Sequence, residues 1–180
     1  MPQPEQEKWI VDFVDALEKV REDDDRATLA KLRRGLTEHA AECEMWVFAH
    51  LHGAAPEHEE PALLTAALFA VHPQKGGRGS LGAALRRLRT ETASESLDKR
   101  FAVLIDSHPD ELPARLRQSV SLLKSKEVPV DWRRLLSDLL DWGGPRRPVQ
   151  RTWARDYWAV QAAGAEAPAD TAEPATVEGE

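Results

Sequence analysis

Between its proline and glycine breaks this chain spaces its large apolar residues three and four apart, and in no segment of strand length do apolar and polar residues alternate. Only an α-helix turns that spacing into one buried face, so an all-α fold of helices packed on helices is expected. From Gln6 to Val20 the positions Trp9, Ile10, Phe13, Val14, Leu17 and Val20 form such a face. The run Asp23-Asp24-Asp25 supplies a cap and favourable negative charge for a second helix, RATLAKLRRGL, which Gly35 ends. A third helix is expected over His39 to Leu51. A fourth covers Ala62 to His72, with Pro61 in its first turn and Pro73 behind it.

The segment QKGGRG then reads as a flexible loop. Ser80 is placed to cap a fifth helix, in which Leu81, Ala84, Leu85 and Leu88 share a face, and Ser94 or Ser96 begins a sixth with Leu97, Phe101, Leu104 and Ile105 inward. His108-Pro109 breaks it. A seventh helix runs from about Pro109 to Lys126 on Leu112, Leu116, Val120 and Leu123; Asp131 caps an eighth, WRRLLSDLLDW; and a ninth runs from about Pro148 to Val160. The expected architecture is about nine helices in two small packed bundles, residues 1–74 and 80–160. Residues 161–180, rich in Ala, Pro and Glu, are expected to form a disordered acidic tail, because they carry too little apolar surface to offset their ordering entropy.

With 180 residues, 42% apolar and 31% charged, the chain has enough apolar content for a core. No stretch is long and apolar enough to cross a membrane and the N-terminus lacks the regions of a signal peptide, so a cytoplasmic protein is expected. The single cysteine, Cys43, has no partner for an internal disulfide.

The net charge of −7 hides an asymmetry. Residues 1–25 hold nine acids against three bases and residues 161–180 hold five acids and no base, so the middle of the chain is basic; from Gln74 to Val160 there are 17 Lys or Arg against 11 Asp or Glu. Basic clusters recur in most helices: Arg26, Lys31, Arg33 and Arg34; Arg86, Arg87 and Arg89; Lys99 and Arg100; Arg115 and Arg117; Lys124 and Lys126; Arg133 and Arg134; Arg146, Arg147, Arg151 and Arg155. Each helix buries its leucine face, which pushes the cations outward, and cations aligned on a common surface would make a track for phosphates.

Readings that would make the chain an enzyme find little support. Ser107, His108 and Asp110 hold the letters of a hydrolytic triad, but near neighbours at a helix junction do not adopt its geometry, and Ser107 or Asp110 capping the next helix explains them. His39, Cys43, His50 and His52 match no compact metal-ligand spacing. No carboxylate sits alone in an apolar stretch where burial would raise its pKa. No cofactor is expected. Lys75 to Ser80 could cradle a phosphate at a helix start, against the plainer reading of a solvated linker. The tryptophans Trp132, Trp142, Trp153 and Trp158 are expected to pack in the core.

Several strings in order resemble one family: Arg26 to Arg34 (RATLAKLRR), Leu68 to Pro73 (LFAVHP), Ser80 to Leu88 (SLGAALRRL), Lys99-Arg100-Phe101, Leu112 to Gln118 (LPARLRQ), Leu122 to Lys126, Val128 to Trp132 (VPVDW) and Val149 to Arg155 (VQRTWAR). Over about residues 5–160 the chain is similar to the CasB small subunit of the type I-E CRISPR Cascade surveillance complex. The resemblance implies an all-helical, non-catalytic subunit, present in two copies beside the guide RNA and the backbone and large subunits, holding target or displaced DNA strands in the R-loop without reading bases. It implies a nucleic-acid surface at Arg26, Lys31, Arg33 and Arg34 and at Arg100, Arg115, Lys124, Lys126, Arg146, Arg147 and Arg151. The rival reading is a helical protein–protein adaptor within the complex that makes no direct nucleic-acid contact.

Overall fold

The computed structural model describes residues 4–37, 39–52, 54–92 and 95–159. Among these the chain forms α1 (Pro4–Glu22), α2 (Arg26–Arg33), α3 (Ala41–His50), α4 (Glu59–Val71), α5 (Leu81–Thr92), α6 (Glu95–Ile105), α7 (Leu112–Ser125), α8 (Trp132–Leu140) and α9 (Pro148–Trp158), with short 3-10 turns at Arg34–Leu36, Pro56–His58 and Pro109–Glu111. No strand occurs among the described residues. The acidic tail, Val160 and Ser94 lie outside them.

The caps follow the local chemistry. Asp25 accepts from the Thr28 amide at 2.9 Å at the start of α2, Asp131 from the Arg134 amide at 3.0 Å at the start of α8, and Ser80 Oγ from the Ala83 amide at 3.3 Å at the start of α5. One cap differs from expectation: the junction before α7 is capped by His108, whose Nδ1 faces the Asp110 amide at 3.4 Å. Ser107 instead donates back to the Val103 carbonyl at 2.8 Å, as serine does at a helix end.

The centre of the molecule is α4. After its two opening glutamates the sequence EEPALLTAALFAV is apolar nearly all round, and Ala62, Leu64, Thr65, Ala66, Ala67, Leu68, Phe69 and Ala70 are all buried. α2 and α3 pack on it from the N-terminal side, and α7 and α8 from the C-terminal side. Phe69 meets the Trp132 ring edge to face at 5.5 Å. α1 closes the far side against α8, where Arg133 is ion-paired to Asp15.

The segment between α4 and α5, expected to be flexible, is fastened along its length. His72 Nε2 donates to the Val128 carbonyl at 2.8 Å, Trp132 Nε1 donates to the Gln74 carbonyl at 3.2 Å, and the Gly79 amide donates to Asp131 at 3.2 Å. Gly77 lies so close to the backbone of Val130 and Asp131 that an added Cβ would sit 2.0 Å from a carbonyl carbon. These partners lie more than fifty residues downstream, beyond the reach of any local pattern.

The second half is organised by the pairing of α5 with α9, the most extensive helix contact among the described residues. Gly82 permits it: a Cβ there would lie 2.1 Å from the Trp153 carbonyl oxygen. Leu81, Ala84, Leu85 and Leu88 are buried as the spacing predicts, and Trp153 is fully enclosed with Trp142 at 5.1 Å between ring centroids. Asp138 corrects the expectation about carboxylates. It is buried on α8, accepting from Trp153 Nε1 at 2.6 Å and Arg134 Nε at 2.8 Å, and burial raises its pKa against the opposing pull of those two donors.

Gly82→Ala should cost about 1–3 kcal/mol, because the new methyl forces two backbones apart. Gly143→Ala, where an added Cβ meets nothing within 4 Å, should change stability by less than about 0.5 kcal/mol. Urea-denaturation midpoints measure both, and a Gly82→Ala midpoint equal to the parent's would contradict the close approach of α5 and α9.

Candidate nucleic-acid interface

The basic residues of the first half are largely engaged. Arg26 pairs with Asp24 at 3.2 Å and Arg34 with Glu42 at 2.7 Å, while Arg33 Nε donates to the Ala70 carbonyl at 2.8 Å and so ties α2 to the end of α4. Lys31 is exposed and has no ion-pair partner among the described residues. The two exposed carboxylate pairs are each worth only about 0.2–1 kcal/mol, so a phosphate could displace either acid; the Arg33 bond, spent on backbone, is structural.

In the second half, side chains from α6 and α7 converge on a cleft of about 180 Å³. Lys99 and Arg100 come from α6, and Arg115, Gln118 and Ser119 from α7, above a floor that includes Leu97, Phe101 and Leu122. Leu97 and Phe101 are buried, which holds α6 so that Lys99 and Arg100 are exposed. Arg115 approaches Glu111 only loosely, at 3.9 Å, and Lys99 and Arg100 have no ion-pair partner among the described residues. Lys124 and Lys126 are exposed at the C-terminal end of α7, where positive charge complements the helix dipole.

A second cationic surface forms where α9 begins. Arg146 and Arg147 both adopt the left-handed region, at φ 69° and 53°, at a cost of about 1–2 kcal/mol each for residues with a Cβ. Arg147 secures this turn: its guanidinium donates to the Ile105 carbonyl and reaches Asp106 at 3.3 Å, fastening the start of α9 to the end of α6. Arg146, Arg147 and Arg151 then line one concave surface of about 380 Å³ with Ile105, Gln150 and Ala154. Arg146 and Arg151 are exposed and unpaired among the described residues.

Of the candidate residues, then, one cleft gathers Arg100 and Arg115 and one notch gathers Arg146, Arg147 and Arg151. Arg26, Lys31, Arg33, Arg34, Lys124 and Lys126 line neither. The sequence already grouped Lys99 with Arg100 ahead of Phe101, but carried no sign that Gln118 and Ser119 share their wall.

The loop before α5 does not form an anion cradle. The Lys75 ammonium is held by Glu18 at 3.0 Å and by Glu22; hydrogen bonding to these carboxylates raises its pKa and lowers that of Glu22. Asp131 takes the Gly79 amide, and Asp156 takes the Ser80 hydroxyl at 2.5 Å, so an entering phosphate would meet two carboxylates. Cys43 is fully buried, and desolvation pushes its thiol up to about 11. Trp132, Trp142 and Trp153 are buried as expected, but Trp158 departs from that expectation at 49% exposed.

Residues 28–158 match the family model for CRISPR-associated protein Cse2. A Cse2 protein of Thermus thermophilus is 42% identical over 108 residues, which span 59% of this chain and 60% of that relative. The crystal structure of CasB from Thermus thermophilus superimposes with a TM-score of 0.68 at 33% identity, covering 81% of this chain and 95% of the other. A chain of a solved CRISPR RNA-guided surveillance complex shares the fold, with a TM-score of 0.71 at 24% identity, covering 84% of this chain and 92% of the other.

The division between structural and free cations is measurable. Arg147→Ala should destabilise the protein by about 1 kcal/mol by freeing the end of α6. Arg151→Ala and Arg100→Ala should stay within about 0.5 kcal/mol of the parent in the same urea titration. Equal losses at all three positions would contradict the assignment.

Proposed function

This chain belongs to the Cse2, or CasB, family of CRISPR-associated proteins, and from that premise we propose that it is a non-catalytic subunit of a CRISPR RNA-guided surveillance complex that grips nucleic-acid backbones independently of sequence and stabilises the R-loop. The observation that carries the reading is the α6–α7 cleft, where Lys99, Arg100 and Arg115 converge and the first two have no ion-pair partner among the described residues. An RNA-guided complex delegates sequence to base pairing, and the exchange of DNA duplex for heteroduplex is nearly balanced, so a few phosphate contacts suffice to tip it.

In this reading Arg100, Arg115, Arg146 and Arg151 hold phosphates directly, Lys124 and Lys126 extend the surface beyond α7, and Arg26, Lys31 and Arg34 provide a second patch. Arg33 and Arg147 position the helices that carry the others. The strands bound are target and displaced DNA, beside the guide RNA, with the backbone and large subunits and a second copy of this chain as neighbours. One observation favours the adaptor role as an additional or rival reading: Met45 and Phe48 on α3 are 74% and 50% exposed, an apolar surface suited to a protein neighbour.

The test is R-loop formation by the complex reconstituted with Arg100→Glu and Arg151→Glu. The double variant should keep its helical circular dichroism and its place in the complex, and form R-loops several-fold less well. The salt dependence should flatten, the slope of log K against log salt falling by about 0.9 for each phosphate that is no longer neutralised. Unchanged R-loop formation in an intact complex would overturn the backbone grip and leave the adaptor.

A further inference from the structure

The outer ridge of α9 continues from Arg151, already placed in the backbone grip, to two residues that the grip does not use. Arg151, Arg155 and Trp158 stand at i, i+4 and i+7, share one face of the helix and span about 10 Å along its axis. All three are exposed, while Val149, Gln150, Trp153 and Tyr157 turn inward. Neither arginine has an ion-pair partner among the described residues.

Trp158 is exposed but not loose. The Arg89 guanidinium lies 4.4 Å from its ring centroid, and the Tyr157 ring stands at 89° to it, 5.0 Å away. Arg89 is fixed by Asp98 at 3.0 Å; the same carboxylate oxygen takes the Tyr157 hydroxyl at 2.6 Å, and Tyr157 stacks on the buried Phe101 at 3.8 Å. A continuous set of contacts thus runs from the core to a half-exposed indole and sets its orientation. A tryptophan serving only to fill space would have turned inward, as Trp132, Trp142 and Trp153 do. The nearby carboxylates are already occupied, Asp98 by Arg89 and Tyr157, and Asp156 by Ser80. The ridge presents two cations in line with a half-exposed indole, one face of which the Arg89 guanidinium covers.

We propose that Arg151, Arg155 and Trp158 form a track for single-stranded nucleic acid, with one unpaired base stacked on the Trp158 indole and the adjoining phosphates held by Arg155 and Arg151. Every base has a π-face, so the contact is tolerant of sequence, and a duplex hides those faces, so it selects an unpaired strand. The inference rests on the proposed nucleic-acid role and adds to it a preference for the unpaired strand.

The experiment is fluorescence anisotropy of the full chain at low ionic strength, with a labelled oligothymidine and an abasic oligomer of the same length and charge. The parent should bind the oligothymidine about tenfold more tightly, the scale of one stacked base. Trp158→Ala should abolish that ratio while leaving abasic binding unchanged; Trp158→Phe should retain part of it; Arg155→Gln should weaken both oligomers alike. Thermal melts confirm that each variant folds. A parent ratio of one, or a ratio that survives Trp158→Ala, overturns the stacking site, and if Arg100→Glu still weakens both oligomers the backbone reading stands. Loss of partner-subunit capture by Trp158→Ala with oligonucleotide binding unaltered overturns it in favour of a protein contact. No binding of either oligomer by the parent overturns the stacking track, while R-loop formation by the complex reconstituted with Arg100→Glu and Arg151→Glu decides the backbone reading separately.

Discussion

A helix that is apolar on nearly every side has to be surrounded, and α4 is such a helix. Its alanines let neighbours come close, and its burial draws α2 and α3 from one half of the chain and α7 and α8 from the other onto a common axis. The cations of these four helices are placed by this demand, and those of α6 and α9 by the packing of α6 on α7 and of α9 on α5. Each short surrounding helix spends its leucine face on the core, so its arginines and lysines are left on the outer side. The α6–α7 cleft follows, because Leu116, Val120 and Leu123 fix α7 while Leu97, Phe101 and Leu104 fix α6, and the polar residues between them meet at the rim.

That same packing divides the cations into two kinds. Arg33 and Arg147 reach back to helix-end carbonyls, of Ala70 and Ile105, whose hydrogen bonds would otherwise go unmade. Arg134 is spent on the buried Asp138, and Arg133 on Asp15. What is left, including Arg100, Arg146, Arg151 and Arg155, is exposed and unpaired among the described residues. A positive patch is therefore defined by which guanidinium groups the fold does not need, and only the fold decides that.

This marks the limit of what was legible in the sequence. The helices, their inward faces and the caps at Asp25, Ser80 and Asp131 are local: spacing of three and four, and a short polar side chain ahead of it, contain the answer. The fastening of residues 72–80 was not legible, since Val128, Asp131 and Trp132 are distant in the chain and glycine-rich composition reads as freedom. Asp138 was missed for a related reason: its partner Trp153 lies on another helix, and Arg134, one turn earlier, makes it look like an exposed i,i+4 pair. For the candidate site, the sequence offered basic residues in both halves of the chain, whereas the grouping of Arg100 with Arg115, and of Arg146 with Arg151, depends on how α6 meets α7 and α9.

The acidic N-terminal segment fits the same logic. A net charge of −7 opposes binding to a polyanion at long range, yet part of that acid is spent internally. Asp15 holds Arg133, and Glu18 and Glu22 hold Lys75, so α1 uses its carboxylates to fasten itself to α8 and to the segment before α5. Asp12 on α1 and Asp23 just past its end remain exposed. At physiological salt, charges more than about 8 Å apart are largely screened, so under the proposed function residual acid on α1 would weaken steering more than it would weaken a phosphate held directly by Arg100 or Arg151. On that proposal, a chain built this way would bind a strand poorly when it must find it by diffusion and usefully when an assembly delivers it. That is the regime in which small, unpaired cationic clusters are enough.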